Sequence, residues 1–239
     1  MKRSVRLGSA LVPYTLERKR VKNINLRVRG GEVFVSAARW VPVGVIEGFL
    51  ASRSDYLLAA MARTAPGEAH RYLPGETFSV LGRPLTLVLF QGTRPAIRPE
   101  GDRLCVTLRA PDDPEAVARA LSGWYRTESE RLCRLYCARL LPRFAPYGVP
   151  QEIEIKMRSM RSCWGNCRPA RRLVTFNALL AAVPEPSIEY VVAHELTHFL
   201  HADHSAAFYA ALARVLPDWK PRRAALKPYG ELLRRAHHP

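Results

Sequence analysis

Short runs in which apolar and polar residues alternate dominate the first hundred positions, and they predict strands. INLRVR (24–29) and EVFVSA (32–37) both keep this alternation, and Gly30 and Gly31 stand between them, which is the pattern of a β-hairpin. ETFSVLG (76–82) and RPLTLVLF (83–90) follow the turn residues Leu73, Pro74 and Gly75, and RLCVTLR (103–109) follows Gly101 and Asp102. Between these pairs, PVGVIEGFLASRSDYLLAAMAR (42–63) shifts to helical spacing, with Pro42 suited to the first turn of a single helix.

The pattern changes at Pro111 to Pro114. The segment from Asp113 to Leu141 predicts a long amphipathic helix with acidic residues in its first turn and Pro142 at its end. EIEIKM (152–157) and RRLVTFN (171–177) read as strands. SIEYVVAHELTHFL (187–200) reads as a helix with Ser187 as N-cap and Glu189 in its first turn, and HSAAFYAALARVL (204–216) and the chain after Pro221 read as further helices. No internal repeat and no low-complexity tract is evident. The expected architecture is α+β: a β-rich N-terminal module with one helix over 1–110, then a second domain over 111–239 in which the helix from Asp113 backs the histidine-bearing helix against a small sheet.

Composition changes this picture in three respects. The five cysteines are odd in number and too few for a disulfide framework in a chain of 239 residues, which points to reduced thiols and the cytoplasm. The N-terminal stretch lacks an apolar leader segment and no apolar run is long enough to span a bilayer, so no membrane association is expected. The formal net charge of +16 would attract polyanions. The basic residues are scattered, so a solvated Arg-rich surface and a nucleic-acid partner both remain open. Oligomeric state is not legible.

The candidate chemistry lies in HELTHFLHADH (194–204), which holds four of the chain's seven histidines. Residues four apart on a helix are separated by about 40° around the axis and about 6 Å along it, so His194 and His198 can point two ring nitrogens at one ion. Glu195 is turned by about 100° from His194 and can lean over a water at that ion. Ile188, Val192, Leu196 and Phe199 form an apolar stripe on another face. Imidazoles on a largely buried helix are costly without partners, and a metal supplies one. For a third ligand His204, beyond a turn at Ala202 and Asp203, ranks ahead of His201, which lies about 10 Å along the axis from His194. Glu231 ranks last.

The order KMRSMRSCWGNC, LVTFNALL, IEYVVAHELTHFLHADHSAAF and LPDWKPRRAALK, from Lys156 to Lys227, resembles the YgjP-like metallopeptidase family, related to SprT-like zinc proteases. The N-terminal hairpin, YLPGETFSVLGRPLTL and the run from Trp124 to Arg126 are also similar to the family. The resemblance implies a zincin-like C-terminal half and a Zn2+ cofactor held by His194, His198 and His204. It also implies Glu195 as general base and a peptide or protein substrate. Three positions depart from the family pattern: Cys163 stands where arginine is usual, Asn166 where serine is usual, and Asp203 where asparagine is common.

Other residues near the motif carry two readings each. Trp164, Gly165 and Asn166 either form a turn after the 152–157 strand or line the substrate cleft and pair with an extended peptide. Asn177 caps the short ALLAA helix or orients a ligand. Tyr190 falls on the histidine side, where packing is the simpler role, and Arg158 and Arg161 are solvated or bind a substrate carboxylate or phosphate. Cys133 and Cys137 fit small buried helix positions better than a four-thiolate zinc site with Cys163 and Cys167. Two functional alternatives remain open beside a zinc peptidase: a zinc hydrolase of a nucleotide phosphoanhydride, and a DNA-associated SprT-like protein.

Overall fold

Alternation along the N-terminal strands becomes, in space, a sheet with one apolar face. The computed structural model describes residues 1–29, 31–64 and 70–235. It divides into two compact units, Met1–Ala69 and His70–Pro239. In the first, β1 (Lys2–Leu7), β2 (Ala10–Arg18), β3 (Asn25–Arg29) and β4 (Glu32–Ala37) lie in the order β1-β2-β4-β3. The two outer pairs are antiparallel and the central β2–β4 pair is parallel. Strands β3 and β4 form the expected hairpin, with Gly31 at φ 74 in its turn; Gly30 lies outside the described residues. Val12, Tyr14 and Leu16 of β2 and Val33, Val35 and Ala37 of β4 are buried in one core with Ile46, Leu50 and Leu57.

Those last three residues come from two helices where one was expected: α1 (Val43–Ala51) and α2 (Ser54–Thr64). The break has a local cause. The Ser52 hydroxyl donates to the Phe49 carbonyl at 3.0 Å, competing with the backbone ladder, and the Arg53 guanidinium stacks 4.0 Å over the Phe49 ring.

The second unit begins with β5 (Thr77–Val80), β6 (Arg83–Gln91), β7 (Ala96–Glu100) and β8 (Arg103–Leu108), in the order β5-β6-β8-β7. Again the outer pairs are antiparallel and the central pair parallel. This wiring is the same as that of β1–β4, so the chain does contain a repeat, one of topology that no residue-by-residue similarity announced. The apolar face of this sheet shares a core with Val117, Leu121 and Tyr125 of α3 (Pro114–Phe144). The change of pattern at residue 110 therefore falls inside one continuous core, while the division between compact units lies at residues 69 and 70.

Helix α3 starts as its sequence demands, with the Asp113 carboxylate accepting from the Glu115 N–H at 2.9 Å. It runs past Pro142 to Phe144, a fully buried side chain whose packing holds the final residues helical. A three-stranded sheet follows, from β9 (Glu154–Arg158), β10 (Gly165–Arg168) and β11 (Leu173–Asn177) in the order β10-β11-β9. All five residues of β11 are buried. Gly165 opens an edge strand here, which corrects the expectation of a turn: β11 supplies a template against which even the polar run GNCR pairs.

Helices α4 (Glu185–Thr197), α5 (Ala206–Val215), α6 (Trp219–Leu226) and α7 (Leu232–Arg235) complete the unit, and α4 packs on both α3 and β10. Ser187 is not the N-cap of α4; Pro184 is. Prolines at 184 and 186 start the helix one turn earlier, and the buried Ser187 hydroxyl instead donates to the Arg222 carbonyl of α6 at 3.0 Å. The fold is thus α+β, with the histidine-bearing helix set between a backing helix and a small sheet. No described helix is long and apolar enough to cross a membrane.

Candidate metal and active site

On α4 the residues Ile188, Val192 and Leu196 have no exposed surface and face the core, so the opposite side of the helix presents His194 and, at the C-cap, His198. The helix stops at Thr197, whose hydroxyl donates to the Ala193 carbonyl at 2.7 Å. The chain then turns until Ser205 caps α5 by accepting from the Phe208 N–H. That turn carries His204 back over α4. Its Nε2 lies 2.9 Å from the Nε2 of His194, and the ligand atoms of His194, His198 and His204 all fall within 4.8 Å of one another. Phe208, fully buried, stands 4.8 to 4.9 Å from each of the three rings and forms the floor beneath them.

The donor set suits a divalent cation. Two imidazole nitrogens 2.9 Å apart repel if both present lone pairs, so either one carries a proton or both face a shared ion. The outer nitrogens are engaged: His198 Nδ1 lies 3.0 Å from the His201 carbonyl oxygen, and His194 Nδ1 lies 3.4 Å from the Tyr190 hydroxyl. Such contacts orient a ligand ring and leave Nε2 for the metal. Burial, then the neighbouring rings of His198 and His204 and the charge of Arg223, push His194 down to about 3, which keeps it in the neutral form that binds metal. Burial lowers His198 as well. Among the described residues, no other group of three or more His, Cys, Asp or Glu side chains converges in this way, which leaves the His201 and Glu231 side chains outside the cluster. Cys133 and Cys137 are buried in the core of α3 instead.

Glu195 is 5% exposed and lies under β10. Burial pushes its carboxyl up to about 8, against the partial counter-effect of the Cys167 N–H that donates to it. A bound dication would pull this value back down. Gly165 is required by the packing: a Cβ at that position would lie 2.5 Å from Glu195 Oε1 and 2.6 Å from its Cγ. Gly165→Ala is therefore expected to shift the carboxylate and lower turnover by about 10²-fold with metal affinity kept. Parallel measurement of kcat and metal content checks this; an unchanged kcat would mean that the carboxylate does not act from this position.

A cleft of about 510 Å³ contains these groups, walled by Trp164, Gly165 and Asn166 on one side and by Tyr190, Val191 and Leu226 on the other. Asn177 fixes the first wall. Fully buried, it donates from Nδ2 to the carbonyls of Met160 at 2.8 Å and Cys163 at 3.0 Å, and its Oδ1 accepts from the Leu179 N–H. It thus caps the following turn, as expected, and also pins the loop before β10. Tyr190, read from the sequence as packing, lines the cleft and touches His194. The i, i+4 spacing of Tyr190 and His194 was the available signal. The roles of Phe208 and of the Cys167 amide had no such signal, because they depend on how α5 and β10 pack against α4.

The family described as YgjP-like, metallopeptidase domain, matches residues 22–229. Among solved structures, the crystal structure of the metallopeptidase zymogen of Pyrococcus abyssi abylysin is 17% identical. That likeness covers 42% of this chain and 90% of the other, with a TM-score of 0.33. No curated protein matches the chain.

Proposed function

The chain belongs to the YgjP-like metallopeptidase family, and from that premise we propose a zinc peptidase in which His194, His198 and His204 hold the cation and Glu195 is the general base. Family membership makes the protein a metal-dependent hydrolase with a peptide or protein substrate. Three imidazoles with no thiolate suit zinc, which accepts nitrogen ligands and leaves a fourth position open in catalytic sites. When bound, the ion lowers the pKa of a water toward about 7 and polarises the carbonyl under attack.

The remaining chemistry falls to the chain. The Glu195 carboxylate takes a proton from the attacking water and passes it to the leaving amine. Gly165 gives it room, the Cys167 N–H holds one of its oxygens, and its burial keeps water from solvating the charge. Trp164, Gly165 and Asn166 bind the substrate as an extended strand laid along the free edge of β10. The observation that supports the reading is the convergence of three ring nitrogens within 4.8 Å, in one cleft with a buried carboxylate.

Metal removal tests it. Chelation is expected to abolish hydrolysis of a peptide library, and zinc added back at about one ion per chain should restore it. A zinc-loaded preparation that hydrolyses nucleotide phosphoanhydrides and no peptide would replace this reading with the nucleotide one.

A further inference from the structure

The strand that walls the cleft is flanked by exposed arginines that the peptidase chemistry does not use. Among the described residues strand β10 pairs with β11 alone, so its other edge takes part in no ladder. The Trp164 carbonyl accepts from the Asn177 N–H at 2.9 Å, which sets the alternation of the ladder. Asn166 and Arg168 turn their main-chain groups toward β11, while Gly165 and Cys167 turn theirs outward. Gly165 and Cys167 line the cleft together with Glu195, so the edge outside the ladder is the one that borders the site. Side chains alternate as well: the Gly165 position faces Glu195, and Asn166 and Arg168 stand on the other face of the strand, exposed.

Arginines flank this strand. Arg168 ends β10, Arg171 and Arg172 lie in the turn that leads from it to β11, where the Arg172 carbonyl accepts from the Glu154 N–H of β9, and Arg161 lies in the loop that Asn177 pins before it. All four are exposed, and none takes part in an ion pair among the described residues. On α3 half of the exposed arginines, Arg119, Arg131 and Arg134, pair with a glutamate of their own helix, whereas none of the four around β10 has an acidic neighbour on its own element. An added strand places side chains directly across from those of its neighbour, on the same face, where opposite charges attract.

We infer that the site takes an acidic extended segment, with a glutamate or aspartate of the substrate opposite Arg168. The inference rests on the peptidase reading of the cleft. Gly165 adjoins Glu195 and Arg168 lies three positions along, roughly 10 Å at strand spacing, so the favoured acidic residue sits about three positions from the bond cut. Backbone pairing requires an extended polypeptide, which distinguishes this occupant from a nucleic acid drawn to the same charge.

The test uses zinc-loaded full-length Glu195→Gln protein and fluorescence anisotropy, so that it does not depend on turnover. The probes are a short labelled peptide of alternating alanine and glutamate, its alanine–lysine counterpart, and a single-stranded oligonucleotide. The glutamate peptide is expected to bind at least tenfold more tightly than the lysine peptide. Adding Arg168→Glu should weaken it by about fivefold or more, whereas Arg27→Glu, an exposed reversal on β3, should leave it unchanged. Equal binding of the two peptides, equal loss from both reversals, or an oligonucleotide that binds through Arg168 in preference to the peptide would each overturn the inference. Cleavage of neutral and basic peptides by the wild-type protein in those cases would leave the peptidase reading in place.

Discussion

Glu195→Gln is expected to lower peptide turnover by about 10²- to 10⁴-fold while leaving the bound metal in place. Glutamine has the shape of glutamate, so it fits the space that Gly165 leaves, and its carbonyl oxygen still accepts from the Cys167 N–H. It cannot carry a proton between water and amine. Replacing a carboxylate that is 5% exposed with a neutral amide also removes a desolvation cost, so the folded state should be no less stable. Metal content by mass spectrometry, a thermal melt and kcat on one preparation separate these effects. Undiminished turnover in pure protein would remove Glu195 from the mechanism.

His204→Ala should act on the other half of the site, reducing zinc affinity by more than about 10²-fold and abolishing turnover with it. His204 lies outside α4 and its side chain is exposed, so its loss opens no core cavity and the metal-free protein should melt as before. What should vanish is the rise in melting temperature on adding zinc. His201→Ala is the matched control. The contact of His201 with His198 is through its backbone carbonyl, which alanine retains, so zinc stabilisation should persist. If His201→Ala proves the damaging variant and His204→Ala the silent one, the ligand set is wrong.

The contrast between these two histidines shows how far the sequence could be read. His194 and His198 are related by helix geometry alone, and their pairing was legible from spacing. His204 returns because α4 ends at Thr197 and Ser205 starts α5, a turn only partly visible in the Asp-His-Ser run. Strand β10 was missed because GNCR has no apolar alternation; its extended form is imposed by β11. The helix break at Ser52 coincides with local contacts of Ser52 and Arg53 with Phe49 that leave no periodic trace, and Ser187, a good N-cap by type, lies inside the helix because Pro184 precedes it. Long helices and hydrophobic hairpins, in contrast, follow from periodicity that many residues reinforce together.

The wiring shared by β1–β4 and β5–β8 makes difficulties for the chain before it is folded. Each segment offers two hairpins that must find each other through a central parallel pairing, and either could accept a hairpin from the wrong segment or from another molecule. Turns with positive φ at Gly8 and Gly31 in one, and at Gly82 and Gly101 in the other, close each hairpin locally and early, which favours the correct match. Under crowded refolding that kinetic advantage shrinks, and strand-exchanged dimers are the by-product expected from size-exclusion chromatography of refolded protein.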